Sequence, residues 1–318
     1  YINNGKKISL KKYFLRRVTR LEPPYFIAMT GIFLLQVIAN VSPFSYLFPH
    51  WLASLIYSHN IIYHHTPLIT VVAWSLEIEI QFYLVAPILF RLLGLGVLPR
   101  RLILLMLIIA SIYFPIMHPL HVTSIYGFAQ YFLTGILLAD FYVSDTIHDA
   151  FNHWLMVPLS FLLLFVIWYL PFKGAPPLSS STVGYKLVFT LLIGLLYYLI
   201  LKNKYLRNIL SYKFIPIIGG MCYSIYLLHY TLVSIFGRYT ASIPSTGYYW
   251  ADFLIQMVLL IIPVFAISAM FYLLIERPFM ASKWMDMLMK KDKFAKETNM
   301  HPSGVEAPHS EKPIERTE

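Results

Sequence analysis

Apolar residues fall in long runs along this chain, and polar residues gather in the short gaps between them. A helix that crosses a bilayer needs about 20 mostly apolar residues. Eight stretches qualify: Pro24–Val41, Val71–Leu93, Arg101–Met117, Val122–Val143, Trp154–Leu170, Tyr185–Leu201, Phe214–Phe236 and Trp250–Ile275. A ninth, Leu47–Tyr63, is interrupted by Pro49, His50, His59 and Asn60 and reads as an interfacial or re-entrant segment. No internal repeat is evident. The pattern predicts an all-α, polytopic integral-membrane helix bundle of about eight transmembrane helices, occupying residues 1–283. Residues 284–318 break the pattern. They mix charges, contain Pro302, Pro308 and Pro313 and lack an apolar period, which is the composition of a disordered tail.

Composition supports the membrane and rules out simpler classes. The chain is 58% hydrophobic and 13% charged, with a mean hydropathy of +0.64, far from an ordinary soluble domain. Its formal net charge of +10 could indicate nucleic acid, but the basic residues sit in connectors between apolar runs. Residues 1–20 carry Lys6, Lys7, Lys11, Lys12, Arg16, Arg17 and Arg20 without one acid. With eight spans, Arg91, Arg100 and Arg101 fall on that same side, as do Lys202, Lys204, Arg207, Lys213 and Arg277. Only sparse charge, such as Lys173 and Arg238, falls on the other. That asymmetry is the positive-inside pattern of a multi-pass protein of an inner or plasma membrane with both termini cytoplasmic, and it leaves no case for nucleic acid. The single cysteine, Cys222, excludes an intramolecular disulfide and is most simply a small buried hydrophobe.

Chemistry concentrates in a few places. Trp74–Tyr83 sets Glu77, Glu79, Gln81 and Tyr83 at the head of an apolar run. Ionisable residues there are costly, so they must face a protected interior, for function or for contact with a polar neighbour. Glu77 and Glu79 fall at the outer end of the second span, opposite the basic entrance; two residues apart, they lie on different helix faces and are no ready-made pair. Arg16, Arg17 and Arg20 precede the first span. On a helix Arg17 and Arg20 share a face at i, i+3, where guanidinium forks suit phosphate, although a topology anchor on anionic lipid explains the charge as well. In the seventh span Gly219 and Gly220 permit a close approach or a break, Tyr223, Ser224 and Tyr226 offer hydroxyls, and His229 is either a proton shuttle or a hydrogen-bonded structural group. Glu276 and Arg277 close the last span, where their charges can pair with the basic entrance. His64 and His65 sit near the outer surface. No HExxH, Walker A, GxSxG or Rossmann pattern occurs, and nothing calls for a metal.

The order of these pieces is more specific than any one of them. Arg16-Arg17-x-x-Arg20-x-x-Pro23-x-Tyr25 comes first, then Trp74-Ser75-Leu76-x-x-Glu79-x-Gln81-Phe82-Tyr83-Leu84-x-x-Pro87. Tyr223-Ser224-Ile225-Tyr226-Leu227-Leu228-His229 and Ile275-Glu276-Arg277-Pro278-Phe279 follow. Together, from Phe14 to Phe279, they resemble the acyltransferase-3 family of integral-membrane acyltransferases that O-acetylate cell-surface polysaccharides. The resemblance implies transfer of an acyl group, acetyl above all, from cytoplasmic acyl-CoA to a hydroxyl of a glycan or lipid-linked sugar. No permanently bound cofactor is implied. It maps the phosphate-binding arginines onto Arg17 and Arg20 and the family glutamate onto Glu79. It leaves Tyr83, Tyr223 and Ser224 to position the acceptor and His229 as the histidine within these residues. It also implies two further helices upstream of Tyr1, the first bearing a catalytic histidine, so the domain reads as N-terminally incomplete. The competing classes are a small-solute transporter, expected to show paired inverted repeats with matching broken helices, and a non-catalytic membrane scaffold.

Overall fold

The computed structural model describes residues 9–120, 122–144, 152–169 and 183–280, and every regular element among them is helical. Helix α1 runs over Leu10–Ile38, opening on Ser9, whose hydroxyl caps the Lys12 amide. The basic stretch is therefore helical, and α1 begins well before the expected Pro24 because Leu, Lys and Arg are good helix formers. Pro23 and Pro24 sit inside it. Each deprives the turn before it of one hydrogen bond, a loss that a helix packed among neighbours tolerates.

Two short helices follow, α2 (Phe44–Leu55) and α3 (His59–Tyr63). Twelve residues rise only about 18 Å, too little to cross, so the interfacial or re-entrant reading of Leu47–Tyr63 fits. Helix α4 (Ala73–Leu89) continues into a 3₁₀ turn at Phe90–Gly94. Then come α5 (Val97–Met117), α6 (Ile125–Val143), α7 (Met156–Tyr169) and α8 (Val183–Lys202). Helices α9 (Lys204–Leu210), α10 (Phe214–Gly220), α11 (Cys222–Thr240) and α12 (Tyr249–Phe271) complete the bundle, with a π-helical turn over Tyr272–Glu276 and a short α13 (Arg277–Met280).

A helix stands at each of the eight anticipated stretches, but five are continuous, long and apolar enough to cross a membrane: those in α1, α4, α5, α8 and α12 with its continuation. A sixth arises if α10 and α11, bent by 72° at Met221, count as one broken span. Among the described residues the count of eight is not confirmed. Helix α6 carries Gln130 and Asp140 among its apolar residues, and α7 has 14 described residues. The break allowed for by Gly219 and Gly220 is present. Cys222, taken as buried, is exposed at the first residue of α11. Lys173, Leu170, the lysines before Ser9 and the expected tail at 284–318 lie outside the described residues.

Packing centres on α1. Tyr25, Met29, Ile32 and Phe33 form its buried stripe and meet Leu47 of α2, Tyr57, Ile69, Leu76 of α4 and Leu227 of α11. A second cluster joins Leu104, Ile108 and Ile112 of α5 to Leu133 and Leu137 of α6. Gly194 lets α8 approach α6, since a Cβ there would stand 3.2 Å from the Thr134 methyl. Leu84, Ile88, Leu191 and Ile262 point outward as a lipid-facing surface requires. The polar stitches lie inside. Gln81 Oε1 accepts the Ile125 amide at 2.8 Å, supplying a partner for an unpaired N–H at the start of α6. Buried Asp140 of α6 takes Arg101 Nε at 2.8 Å and also pairs with buried Arg100, fixing the adjacent ends of α5 and α6.

That last contact can be tested. Asp140→Asn removes the charge that two arginines share, and breaking such a buried pair costs roughly 3–5 kcal/mol. The expected outcome is a clear fall in the thermal unfolding midpoint of the detergent-purified protein. Asp252→Asn, at a half-buried carboxylate that among the described residues bonds only Ser245 and Thr246 of the loop before α12, serves as control and is expected to move it less. Equal shifts would remove the α5–α6 pair from any special structural role.

Candidate active site

The basic end of α1 and the acidic stretch of α4 meet through one tyrosine. The Arg17 guanidinium lies 4.8 Å above the Tyr83 ring, a cation–π distance. The Tyr83 hydroxyl donates to Glu79 Oε1, one helical turn earlier. Tyr13 adds a bond from its hydroxyl to the Tyr83 carbonyl at 3.4 Å. Arg17, Tyr83 and Glu79 are thus one connected chain, although the sequence placed the arginine and the glutamate towards opposite membrane faces. Arg16 and Arg20 are exposed, and no ion pair holds either among the described residues.

Behind Glu79 lies a layer of phenols in which Tyr223, a candidate from the sequence, is joined by Tyr25 and Tyr57, which the sequence did not single out. Tyr25, fully buried, donates to the Ser54 carbonyl at 2.7 Å. Its ring stacks on Tyr57 at 4.4 Å, and the Tyr57 hydroxyl bonds the Glu22 carboxyl. Tyr57 has φ +54, a left-handed backbone that costs a bulky residue about 1–3 kcal/mol. The ring stack and the Glu22 bond are what hold it there. Burial pushes the Tyr57 phenol far up, so it remains a donor at any working pH. Tyr223 of α11 donates to the Leu21 carbonyl at 3.1 Å and stands within electrostatic reach of Glu79 and Glu22. Glu22 and Tyr25 lie in the arginine motif itself, and an acid among so many bases was the signal available for Glu22.

The remaining candidates sit elsewhere. Ser224 is buried, and both its amide and its hydroxyl donate to Glu276 Oε2. Its hydroxyl is therefore committed to a structural contact, and Glu276 faces Ser224 rather than the basic entrance. His229 Nδ1 lies 3.1 and 2.9 Å from the Ile225 and Tyr226 carbonyls of its own helix. That geometry assigns its proton to Nδ1 and leaves the Nε2 lone pair as a base. No hydrogen bond joins His229 to Glu79 among the described residues. Tyr226, one turn away, donates to the Val72 carbonyl and is hydrogen-bonded to Ser75. Glu77, fully buried, accepts the Asn60 amide at 2.9 Å and ties α3 to α4. Glu79, half-buried beside Arg17 and Tyr83, is better placed for chemistry.

A histidine pair completes the outer part of the interior. His50 Nδ1 and His59 Nε2 lie 2.9 Å apart, so one proton sits between two rings. The His65 ring is 5.1 Å from His59. Burial, with His50 and His65 beside it, pushes His59 down to about 4. Among the described residues no cluster of histidines, cysteines and carboxylates has the geometry of a metal site.

A family model described as an acyltransferase domain matches residues 1–273, most of the chain. The chain belongs to the acyltransferase-3 family. The match contains the arginine, glutamate and histidine motifs and ends just before Ile275–Phe279. No curated protein and no solved structure matches the chain. Family membership and the apolar helices make this a multi-pass membrane protein of acyltransferase type.

The histidine pair generates a pH prediction. On acidification the unfolded chain protonates His59 near the ordinary 6.5, the folded protein only near 4. Across that window the unfolded state binds more protons, so stability falls as pH drops from 6.5 to 4 and levels off below. Thermal unfolding between pH 7 and 4 is expected to show a flatter dependence in His59→Gln than in wild type. Parallel curves would mean that His59 does not titrate this way.

Proposed function

We propose that this acyltransferase moves an acetyl group from acyl-CoA, on the Arg17 side of the membrane, to a hydroxyl of a surface glycan or lipid-linked sugar on the other side. The location is an inner or plasma membrane, with the basic start of α1 cytoplasmic. The observation that carries the reading is the Arg17–Tyr83–Glu79 chain inside a bundle of this family. Its cationic end is exposed and its carboxylate end is half-buried.

Acyl transfer breaks the thioester C–S bond and forms a C–O ester bond. The acceptor hydroxyl gives up its proton and CoA leaves as the thiol. The reaction needs a grip on the donor, a proton acceptor and donors for the oxyanion that develops at the carbonyl. Arg17 and Arg20 supply the grip, their guanidiniums suited to the phosphates of CoA. Glu79 and His229 Nε2 are the proton acceptors this chain offers, with Glu79 oriented by the Tyr83 hydroxyl. Tyr83 and Tyr223 line the interior near Glu79; their hydroxyl protons go to Glu79 and to the Leu21 carbonyl, so it is their oxygens, as hydrogen-bond acceptors, that are left to position the acceptor hydroxyl. Ser224 serves that role only at second hand, by holding Glu276 against α11. The bent α10–α11 pair is one interrupted helix of the kind a transporter uses, but transporters pair such breaks between repeats, and the family match favours transfer.

Labelled acetyl-CoA decides between these classes: an acyltransferase moves label onto glycan, whereas a transporter accumulates solute unchanged. Arg17→Lys/Arg20→Lys keeps the charge and loses the bidentate forks. It is expected to weaken CoA binding about tenfold or more while insertion is unaffected, and normal CoA affinity would refute the phosphate role. Glu79→Gln is expected to lower acetyl transfer by roughly a hundredfold or more, in the range of a lost acid–base group, and Glu77→Gln by far less at matched folded protein. Similar losses at both positions would overturn the choice of Glu79.

A further inference from the structure

At the end of α1 away from Arg17 there is a second concavity, a cleft of about 480 Å³ between α1, the 66–71 segment and α11. That volume lies within the usual range of small-ligand sites, about 300–1,000 Å³. We propose that this cleft binds the acceptor through a sugar phosphate headgroup, the phosphate on Arg238 and the sugar hydroxyls among Gln36, Tyr230 and Ser234. The inference rests on the acyl-transfer reading above, because it assigns the acceptor side of that reaction.

Position is the first argument. Gln36, in the cleft, follows Arg17 by 19 residues on one continuous helix, a rise of about 28 Å. The hydrocarbon core of a bilayer is about 30 Å thick, so cleft and arginine mouth stand at opposite faces. A substrate taken up at the cleft therefore approaches from the face opposite the donor, with the phenol-lined interior between.

Chemistry is the second. Tyr230, Ser234 and Arg238 recur at i, i+4, i+8 on α11 and line the cleft together. Arg238 is exposed, and no carboxylate pairs with it among the described residues. Guanidinium is the side chain best shaped for a phosphate. Gln36 donates its Nε2 to the Ile69 carbonyl at 2.9 Å, which fixes the amide orientation. Its Oε1 is then a buried acceptor with no hydrogen-bond partner. Such an oxygen is costly to bury alone, and a ligand hydroxyl would satisfy it. Tyr230 and Tyr239 offer rings at the rim, and Ile32 and Leu35 give the cleft an apolar wall continuous with the lipid-facing surface. A cation, hydroxyl-binding groups and an apolar wall together match a phosphorylated sugar, whether borne on a lipid or free.

The test uses the full chain in phosphatidylcholine nanodiscs, with binding read by thermophoresis. The probes are hexyl glycosyl phosphates of glucose, galactose and N-acetylglucosamine, with hexyl glucoside and hexyl phosphate as controls. At least one glycosyl phosphate is expected to bind about tenfold or more tightly than either control, and Arg238→Gln to erase the advantage over hexyl glucoside. Gln36→Leu is expected to erase the advantage over hexyl phosphate, since it removes the hydroxyl acceptor. Displacement by the matching free sugar 1-phosphate would identify the headgroup as sufficient. Failure of that displacement would identify the lipid-borne form, and both results uphold the site. Hexyl phosphate binding as tightly as every glycosyl phosphate would reduce the cleft to a general anionic-lipid contact and overturn the proposal, as would an unchanged Arg238→Gln. CoA binding is measured on the same preparations and should be normal in both variants. Intact CoA binding without glycosyl phosphate binding defeats this inference alone, whereas glycosyl phosphate binding without CoA binding defeats the donor assignment and leaves the cleft standing.

Discussion

A carboxylate inside an apolar bundle must be given hydrogen-bond donors, and in this protein the donors it finds decide where the helices go. Glu77 takes the Asn60 amide and so fixes α3 against α4. Glu22 takes the Tyr57 hydroxyl and holds the link between α2 and α3 against α1. Glu276 takes the amide and hydroxyl of Ser224, closing α11 onto the end of α12. Asp140 gathers two arginines and locks α5 to α6. Dispersion packs the remaining surfaces, but leucine against leucine is little better than leucine against lipid. These polar contacts supply the specificity that apolar packing lacks in a membrane.

Glu79 differs from the others in a way that bears on chemistry. Its donor, Tyr83, comes from its own helix, so it joins no two elements. Among the described residues its hydrogen bond ties no second element to α4, and an ionisable group placed so in a membrane interior is a candidate for function. The residue is also the one whose neighbour, Tyr83, is covered by a cation from α1. A single phenol thus couples an exposed charge to a sheltered one.

The sequence made the bundle legible because apolar run length and connector charge report directly on the bilayer. Run length gave α1 only its apolar part from Pro24, because the basic residues before it carry no apolar signal and their helix continues unbroken through Pro23 and Pro24. Gly219 and Gly220 allowed a close approach or a break without choosing between them; the chain bends by 72° at Met221, and Cys222 beside it is exposed. Arg17, Glu79 and Tyr83 were identifiable from their motifs, yet their contact was not, because it depends on how far α1 slides along α4. The Glu22–Tyr57 bond and the His50–His59 pair were illegible for a similar reason. They join residues 35 and 9 positions apart through short helices whose fold no periodicity encodes.

The continuity of α1 has a mechanical meaning. A helix of 29 residues that carries Arg17 near one end and Gln36 near the other is a strut held to length by its own hydrogen bonds everywhere except at Pro23 and Pro24. It cannot shorten to bring its two ends closer during turnover. The joints open to a rearrangement that admits or releases substrates are then the short helices around His50 and His59, the elbow at Met221 and the two prolines of α1 itself.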